Sequence, residues 1–217
     1  MTERASGRAP TGERPSVAPI VLAGGESRRF GARWKATATF DGDPLVARVV
    51  AAVSAAADRQ PVVAVGTEEK RAVVDPVVDG PVRYTTDASW CDGPLAGIAG
   101  ALTPAVAADV LVCCGCDMPL VAPEAVAWLA RELAARDVDA VVPRVDGSVH
   151  PLHAAYDRAA LAADVEDRPS DDRLRGLLER LDTHVVTPSD APSAVPLARS
   201  TTNVNTPESL RSLTGTS

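Results

Sequence analysis

Short apolar runs alternate with longer stretches rich in Ala, Leu and Arg along most of this 217-residue chain. The short runs are continuously apolar, which is typical of strands buried on both faces of a sheet. The longer stretches have the spacing of apolar residues that helices require. This alternation is the pattern of βαβ units, so the sequence predicts an α/β fold with a mainly parallel central sheet.

The alternation also gives approximate bounds for the elements. The first predicted strand covers Ala18 to Ala23. The next three, which we expect to be buried on both faces, cover Pro61 to Val65, Val82 to Thr85 and Val110 to Cys114. Further strands are predicted at Ala140 to Pro143, Leu152 to Tyr156 and Thr183 to Val186. Predicted helices cover Leu45 to Ala57, Leu95 to Leu102, Ala125 to Arg136 and Asp172 to Leu181. Ligands of open sheets bind at the carboxyl ends of strands, so we expect chemistry in the loops after the first, third and fourth strands.

Length and composition predict one domain, residues 17 to 217, behind a disordered tail from Met1 to Ser16. With 46% hydrophobic residues, a chain of this size can bury roughly 70% of its unfolded surface in one core. The tail lacks any apolar periodicity. The sequence has neither the apolar run of a secretory signal nor a stretch long enough to cross a membrane. We therefore expect a cytoplasmic protein with no membrane partner.

The charge balance bears on possible partners. The net charge is -7 and the chain has only two lysines, Lys35 and Lys70, which argues against a nucleic-acid partner because a phosphate backbone requires a basic surface. Against this acidic background, the cluster of Arg28, Arg29, Arg33 and Lys35 is a candidate anion site.

A glycine-rich loop follows the first strand, in the sequence LAGGESRRFG from Leu22 to Gly31. Gly24 and Gly25 allow the backbone to turn its N–H groups toward a phosphate, and Arg29 and Lys35 can neutralise a triphosphate. The spacing fits neither a Walker P-loop nor GxGxxG. The alternative is a glycine-rich turn with incidental surface arginines.

Two aspartates follow later strands. Asp117, in Cys-Asp-Met-Pro directly after the fourth strand, can coordinate Mg²⁺; alternatively it caps a helix or turn. Asp87 follows the third strand, shortly before Gly93 and Pro94 begin a small-residue helix whose slim face suits a flat ligand. Its carboxylate can accept hydrogen bonds from adjacent ring donors such as those of guanine, or it closes a surface turn.

Near the C-terminus, Asn203 and Asn205 alternate in Asn-Val-Asn-Thr-Pro, before a helix that Thr206 caps and Pro207 begins. In an extended segment they face one side, where two amides suit a ring rich in donors and acceptors, such as a pterin. We expect them to lie on the far side from the phosphate loop. The alternative is a structural turn.

Other polar residues invite a metal interpretation that we do not favour. The cysteines at 91, 113, 114 and 116 lack paired CxxC spacing, so they are interpreted as small buried thiols. His150 and His153 point to different faces of a strand and are assigned structural or surface roles.

In order, these segments resemble the molybdenum cofactor guanylyltransferase family, whose pattern is LAGGxSxRMG, a DK pair, GPLAG, CDxP, HPL and NxNTP. Here they are LAGGESRRFG, WK, GPLAG, CDMP, HPLHAAY and NVNTP, spanning Ile20 to Leu213. Phe30 stands where the family has Met, Trp34 stands where it has an acidic residue, and no amide lies near Gly66 as in some relatives.

The resemblance implies a three-layer α/β/α nucleotidyltransferase fold. It implies that GTP is bound by Leu22, Ala23, Gly24, Lys35, Asp87 and Asp117, with Asp117 on Mg²⁺. The implied reaction transfers GMP from GTP to the phosphate of molybdopterin and releases pyrophosphate. Transient contact with cofactor-synthesis or acceptor proteins is also implied. Two alternatives stay open: a transferase that uses CTP or another phosphorylated acceptor, and a non-catalytic carrier of the pterin cofactor.

Overall fold

A computed structural model describes residues 15–25, 30, 34–102, 107–166 and 174–214. The strands are β1 (Val17–Leu22), β2 (Thr39–Phe40), β3 (Asp43–Pro44), β4 (Val62–Gly66), β5 (Arg83–Thr86), β6 (Val110–Gly115), β7 (Ala140–Val145), β8 (Ser148–Val149), β9 (His153–Asp157) and β10 (Thr183–Val186). The α-helices are α1 (Leu45–Ala56), α2 (Glu68–Val74), α3 (Pro94–Ala101), α4 (Pro123–Ala134), α5 (Arg158–Glu166), α6 (Leu174–Arg180), α7 (Leu197–Ser200) and α8 (Pro207–Thr214). Short 3-10 helices span Lys35–Thr37 and Asp75–Val77.

The central sheet has the strand order β10-β7-β9-β6-β1-β4-β5, with β8 paired to β7. Strand β1 lies between β4 and β6 and is parallel to both. Strand β9 is antiparallel to both its neighbours, β6 and β7. The sheet is therefore mainly parallel, as predicted, and the chain leaves β1 on one side for β4 and later returns to its other side as β6. A crevice forms beside such a switch point.

Helices cover both faces of the sheet. Along β6, Leu111 and Cys113 pack toward a cluster that contains residues of α3, α5 and α6. Val112 and Cys114 pack toward a cluster that contains residues of α1 and α4. All residues of β6 are buried, because a continuously apolar strand can contact both layers. This is the expected three-layer α/β/α arrangement.

The structure corrects the sequence prediction at one strand. Strand β5 is the edge of the sheet next to β4, with Arg83 exposed and Tyr84, Thr85 and Thr86 half-buried. The expectation that this strand is buried on both faces is wrong, because an edge strand lacks a neighbour on one side. The sequence prediction also omitted the helices α2, α5 and α7.

The predicted tail lies mostly outside the described residues, since the description begins at residue 15. Ser16, which we assigned to the tail, donates hydrogen bonds from its backbone N–H and hydroxyl to Asp109 Oδ2, at 2.8 and 3.0 Å. Among the described helices, none has the length and apolar character needed to cross a membrane.

Candidate active site at the carboxyl ends of the strands

A cavity of about 820 Å³ lies at the carboxyl ends of β1, β4, β5 and β6. The strands end at the same level, because Leu22 of β1 is paired with both Ala64 of β4 and Gly115 of β6. The loops after the first, third and fourth strands contribute to the lining, as predicted. Thr67 and Lys70, which follow β4, also line the cavity and were not predicted.

Two glycines bring the loop after β1 against the carboxyl end of β4. A Cβ atom on Gly24 would lie 3.1 Å from the Cα atom of Gly66 and 3.3 Å from Asp87 Oδ1. Gly66 has a φ of +83°, which L side chains rarely adopt. The two backbones therefore pack directly together, and this packing places the glycine loop next to Asp87.

At the opposite wall, three side chains from distant segments meet. Lys35 Nζ lies 2.6 Å from Asp117 Oδ2 and donates a hydrogen bond to Asn205 Oδ1 at 3.0 Å. The side chains of Lys35 and Asp117 are 15% and 21% exposed. A charge-assisted contact with so little water around it is strong. It joins three motifs that the sequence separates widely.

The local backbone explains how Asp117 reaches this point. The N–H of Cys116 donates to the carbonyl of Leu22 at 3.0 Å, and the N–H of Val204 donates to the carbonyl of Asp117 at 2.8 Å. A Cβ atom on Gly115 would lie 2.5 Å from Asp117 Oδ1, so a larger residue at position 115 would displace the carboxylate from this position. The C-terminal segment is thereby fixed against the β6 loop.

Lys35 is held from the other direction by an apolar cluster. It begins a short 3-10 helix, and its Nζ lies 5.8 Å from the centre of the Phe30 ring, within the range of a cation–π contact. Phe30 is 8% exposed and packs with Phe40 and Val204. The aromatic residue that replaces the family's Met is thus a buried anchor beside the lysine.

Asp87 lies across the cavity, directly after β5, and its N–H donates to the carbonyl of Gly66 at 3.0 Å. By surface area Asp87 is exposed, yet the cavity wall removes part of its hydration, and this desolvation raises the pKa of its carboxyl above the usual range. The positive charge of Lys70 opposes the rise. Gly97 of α3 also lines this side, as the predicted slim helix face implies.

Lys70 and Trp34 are the functional candidates that sequence reasoning missed. Lys70 Nζ donates a hydrogen bond to the carbonyl of Gly24, and the indole N–H of Trp34 donates to the carbonyl of Gly25 at 3.0 Å. A signal for α2 was present: Thr67 caps the helix by accepting from the N–H of Lys70 at 3.3 Å, and two glutamates follow it. This start signal would have placed Lys70 one turn beyond β4.

Some predicted site residues lie outside the described residues or away from the cavity, and one lies on an unexpected side of it. Arg28, Arg29 and Arg33 lie outside the described residues. Asn203 is exposed and is absent from the cavity lining. Asn205 lines the cavity next to Lys35, so the expectation that it lies on the far side from the phosphate loop is wrong. The reason is the bond from Val204 to Asp117, which pulls this segment to the strand end.

His153 has the structural role that we expected. It is fully buried, its Nε2 lies 3.0 Å from Ser200 Oγ, and its Nδ1 lies 3.8 Å from Cys114 Sγ. Burial lowers the pKa of His153 to about 3. The hydroxyl of Ser200 also accepts from the N–H of Ala122 at 3.0 Å. Ser200 of α7 thus contacts both His153 of β9 and the segment that follows the Asp117 loop.

The cysteines are mostly the small buried thiols that we expected. Cys113, Cys114 and Cys116 are buried, whereas Cys91 is half-buried. No disulfide joins the four cysteines, all of which lie in the described part of the chain.

Known proteins resemble this chain in sequence and in structure. The family model for the MobA-like NTP transferase domain matches residues 19–185. A protein of Haloferax mediterranei named "Probable molybdenum cofactor guanylyltransferase" is 31% identical over 215 residues, which cover 98% of each chain. One of the same name from Methanosarcina mazei is 30% identical over 204 residues, 90% of this chain and 89% of that protein.

A solved structure extends the likeness to the fold. The crystal structure of molybdopterin-guanine dinucleotide biosynthesis protein A from Archaeoglobus fulgidus is 26% identical, and the match covers 91% of this chain and 97% of that one with a TM-score of 0.76. The family model covers most of the sheet, including β1, β4, β5 and β6, whose carboxyl ends carry the cavity. The chain therefore belongs to the MobA-like NTP transferase family and is a nucleotidyltransferase.

Proposed function

We infer that this protein transfers GMP from GTP to the phosphate of molybdopterin and releases pyrophosphate. The observation that carries the proposal is the contact of Lys35 with both Asp117 and Asn205. It brings the basic end of the glycine loop, the acidic loop after β6 and the amide of Asn205 to one wall of one cavity. The names of the relatives from Haloferax and Methanosarcina support the same activity.

The glycine loop is proposed to bind the triphosphate. Gly24 and Gly25 line the cavity next to Lys35, and backbone N–H groups of glycine can approach phosphate oxygens closely. Lys35 supplies a positive charge whose position is set by Asp117 and Asn205. Arg29 is proposed to add a second positive charge from the same loop.

Asp87 is proposed to select the base. An ionised carboxylate accepts hydrogen bonds from the N1 and N2 donors of guanine, whereas adenine and cytosine lack this pair of donors on one edge. Lys70 favours the ionised form of Asp87, which is the form that accepts both bonds. A wrong base would leave the Asp87 carboxylate without hydrogen-bond donors, and the site would therefore bind that base more weakly.

The residues fit a bound Mg²⁺ ion. Within the described residues no group of three or more His, Cys, Asp or Glu side chains could hold a metal, but Mg²⁺ is commonly held by one or two carboxylates together with substrate phosphates. Asp117 is such a carboxylate, at the end of a central strand. When bound, the ion neutralises phosphate charge that develops during transfer.

The chemistry requires positioning rather than a covalent enzyme intermediate. An oxygen of the pterin phosphate attacks the α-phosphorus of GTP in line, a new P–O bond forms, and the bond to the β-phosphate oxygen breaks as pyrophosphate leaves. Lys35 and the loop N–H groups stabilise the charge on the phosphates during this step. Asn203 and Asn205 are proposed to contact the pterin, with Asn205 also holding Lys35.

The proposal can be tested by supplying purified protein with molybdopterin, Mg²⁺ and GTP, ATP or CTP in turn. Pyrophosphate and the pterin dinucleotide are measured together. We expect both products in equal amounts with GTP, and neither after chelation of the metal. Equal use of CTP, or nucleotide binding with no pyrophosphate in any mixture, would contradict the proposal. We propose that the reaction takes place in the cytoplasm.

A further inference from the structure

Trp34 and Lys70 line the cavity, and neither has a part in the proposed phosphoryl-transfer step. Trp34 directly precedes Lys35 and stands where the family pattern has an acidic residue. Lys70 comes from the first turn of α2, after a different strand. The two side chains therefore reach the glycine loop from separate parts of the chain.

The pair holds two successive carbonyls of that loop. Lys70 Nζ donates to the carbonyl of Gly24, and Trp34 Nε1 donates to the carbonyl of Gly25 at 3.0 Å. Lys70 Nζ also lies 5.6 Å from the centre of the Trp34 ring, a cation–π distance. The donors thus stabilise each other as well as the loop.

Holding a carbonyl also fixes the N–H of the same peptide group. A trans peptide is planar, and its C=O and N–H point in opposite directions. With the Gly24 carbonyl turned toward Lys70, the N–H of Gly25 is directed away from Lys70. Glycines otherwise reach many backbone conformations, so a loop of two glycines without such bonds would present its N–H groups in many directions.

We propose that Trp34 and Lys70 are a positioning pair that orients the Gly24-Gly25 backbone for the phosphates of a nucleoside triphosphate. This rests on the proposed function, in that it takes the cavity to be a nucleotide site. The pair acts through the loop and need not touch the substrate. In this chain the aromatic residue before Lys35 is then an anchor for the loop rather than a loss from the family pattern.

The test compares the binding of GTP with the binding of guanosine, measured by calorimetry on the full chain with Mg²⁺. Trp34→Phe removes the indole donor and keeps an aromatic ring with no change in charge. We expect GTP to bind about five- to tenfold more weakly, the size of one lost hydrogen bond, while guanosine binding is unchanged.

Lysine variants separate the hydrogen bond from the charge. Lys70→Met removes both, whereas Lys70→Gln keeps a donor for the Gly24 carbonyl, so we expect GTP affinity to fall further in Lys70→Met. Combining Trp34→Phe with Lys70→Met should weaken GTP binding by less than the product of the two single losses, because both substitutions disrupt one arrangement.

Two matched controls are available. Trp90→Phe changes an exposed tryptophan that does not line the cavity. Arg71→Met changes a cation of the same helix whose guanidinium lies over Tyr84.

The outcomes separate this inference from the proposed function. Unchanged GTP binding in Trp34→Phe, or an equal loss for guanosine and GTP, overturns the positioning role. If the wild type prefers another nucleotide to GTP, the proposed function fails, and the same comparison made with that nucleotide and its nucleoside still decides the inference.

Discussion

Each end of the sheet has a cavity, and the two cavities differ little in size. The one at the carboxyl ends of β1, β4, β5 and β6 is about 820 Å³, and the one at the amino ends of β6, β7 and β10 is about 890 Å³. Both are lined by charged side chains. They differ in the groups to which those side chains are bonded.

At the amino ends, carboxylates accept hydrogen bonds from backbone N–H groups. Asp109 Oδ2 accepts from Ser16 at 2.8 Å, and Asp139 Oδ2 accepts from Asp182 at 2.8 Å. Asp157 Oδ1 accepts from Ala160 at the start of α5, at 2.9 Å. Arg180 Nε also donates to Asp164 Oδ1 at 2.9 Å, an ion pair that joins α6 to α5 at the same cavity. Each of these bonds joins or caps neighbouring segments of the fold.

At the carboxyl ends, the polar groups belong to segments far apart in the chain and bond to one another or to the glycine loop. Lys35 contacts Asp117 and Asn205, and Lys70 contacts the Gly24 carbonyl. The two cavities have similar volumes, so the comparison teaches that the hydrogen-bond partners of the lining side chains are a better guide to an active site than cavity size.

The largest contrast is expected from alanine substitutions of matched aspartates. Asp117→Ala should lower kcat by at least about 10²-fold, because the proposed metal ligand and the partner of Lys35 are lost. Asp139→Ala should leave kcat unchanged. Steady-state rates are measured, and circular dichroism checks that each variant is folded. Near-normal turnover of Asp117→Ala at saturating Mg²⁺ would contradict the assignment of the active site to the carboxyl ends of the strands.

A second effect concerns base choice at the carboxyl end. Asp87→Ala should reduce the preference for GTP over ATP, measured as the ratio of kcat/KM values, by at least about tenfold, because the acceptor for the guanine donors is removed.

The sign of the pH dependence at Asp87 follows from its partial desolvation at the cavity wall. Desolvation raises the pKa of Asp87, so on acidification the carboxylate is protonated sooner than an exposed aspartate. GTP preference should therefore decline as the pH falls, from a higher pH than an ordinary aspartate would give, and Asp87→Asn should show no such decline. If either variant preferred GTP over ATP as strongly as the wild type does, Asp87 would not be the residue that recognises the base.

His153 sharpens the comparison, since it lies behind the carboxyl-end cavity and yet is expected to affect stability rather than turnover. Its pKa is about 3 in the fold against an ordinary 6.5, so between these two pH values His153 is protonated in the unfolded chain and neutral in the folded chain. The stabilising effect is complete above pH 6.5 and is lost as the pH falls toward 3.

The size of that effect can be measured by urea unfolding. Between about pH 6 and pH 5 the free energy of unfolding should fall by about 1.2 kcal/mol more in the wild type than in His153→Gln, which does not titrate. Parallel pH profiles for the two proteins would show that His153 is protonated in the fold.

The smallest effect is expected at the amino ends. Asp139→Ala removes one hydrogen bond to the N–H of Asp182 and should lower the free energy of unfolding by about 1 kcal/mol. Urea titration of the same sample used for kinetics gives this value. A loss of activity without a loss of stability would make the amino-end cavity a second functional site.

The sequence predicted much of the fold, because continuous apolar runs are visible without knowledge of contacts. Strand β6 and helices α1 and α4 fall close to their predicted bounds. Burial of β5 was predicted wrongly, since apolar content does not reveal whether a strand is at an edge. Helix α2 was missed because it is short and charged.

The candidate site was predictable in its parts but not in its contacts. Hydrophobic periodicity predicts where strands end, and ligands of open sheets bind at those ends. The residues found in this way are Asp87, Asp117 and the two loop glycines. The contact between Lys35 and Asn205 joins residues 170 positions apart, and no local pattern encodes it. Lys70 was overlooked for a related reason: its role depends on α2 lying beside the glycine loop.

The most direct test of the account is a crystal structure of the chain with Mg²⁺ and a GTP analogue that has a methylene bridge between its α- and β-phosphates. Such an analogue resists the proposed bond cleavage and occupies the site intact. The account predicts guanine against Asp87, phosphates along Gly24 and Gly25, and the metal on Asp117. An analogue seated in the amino-end cavity, or one whose base lies away from Asp87, would contradict it.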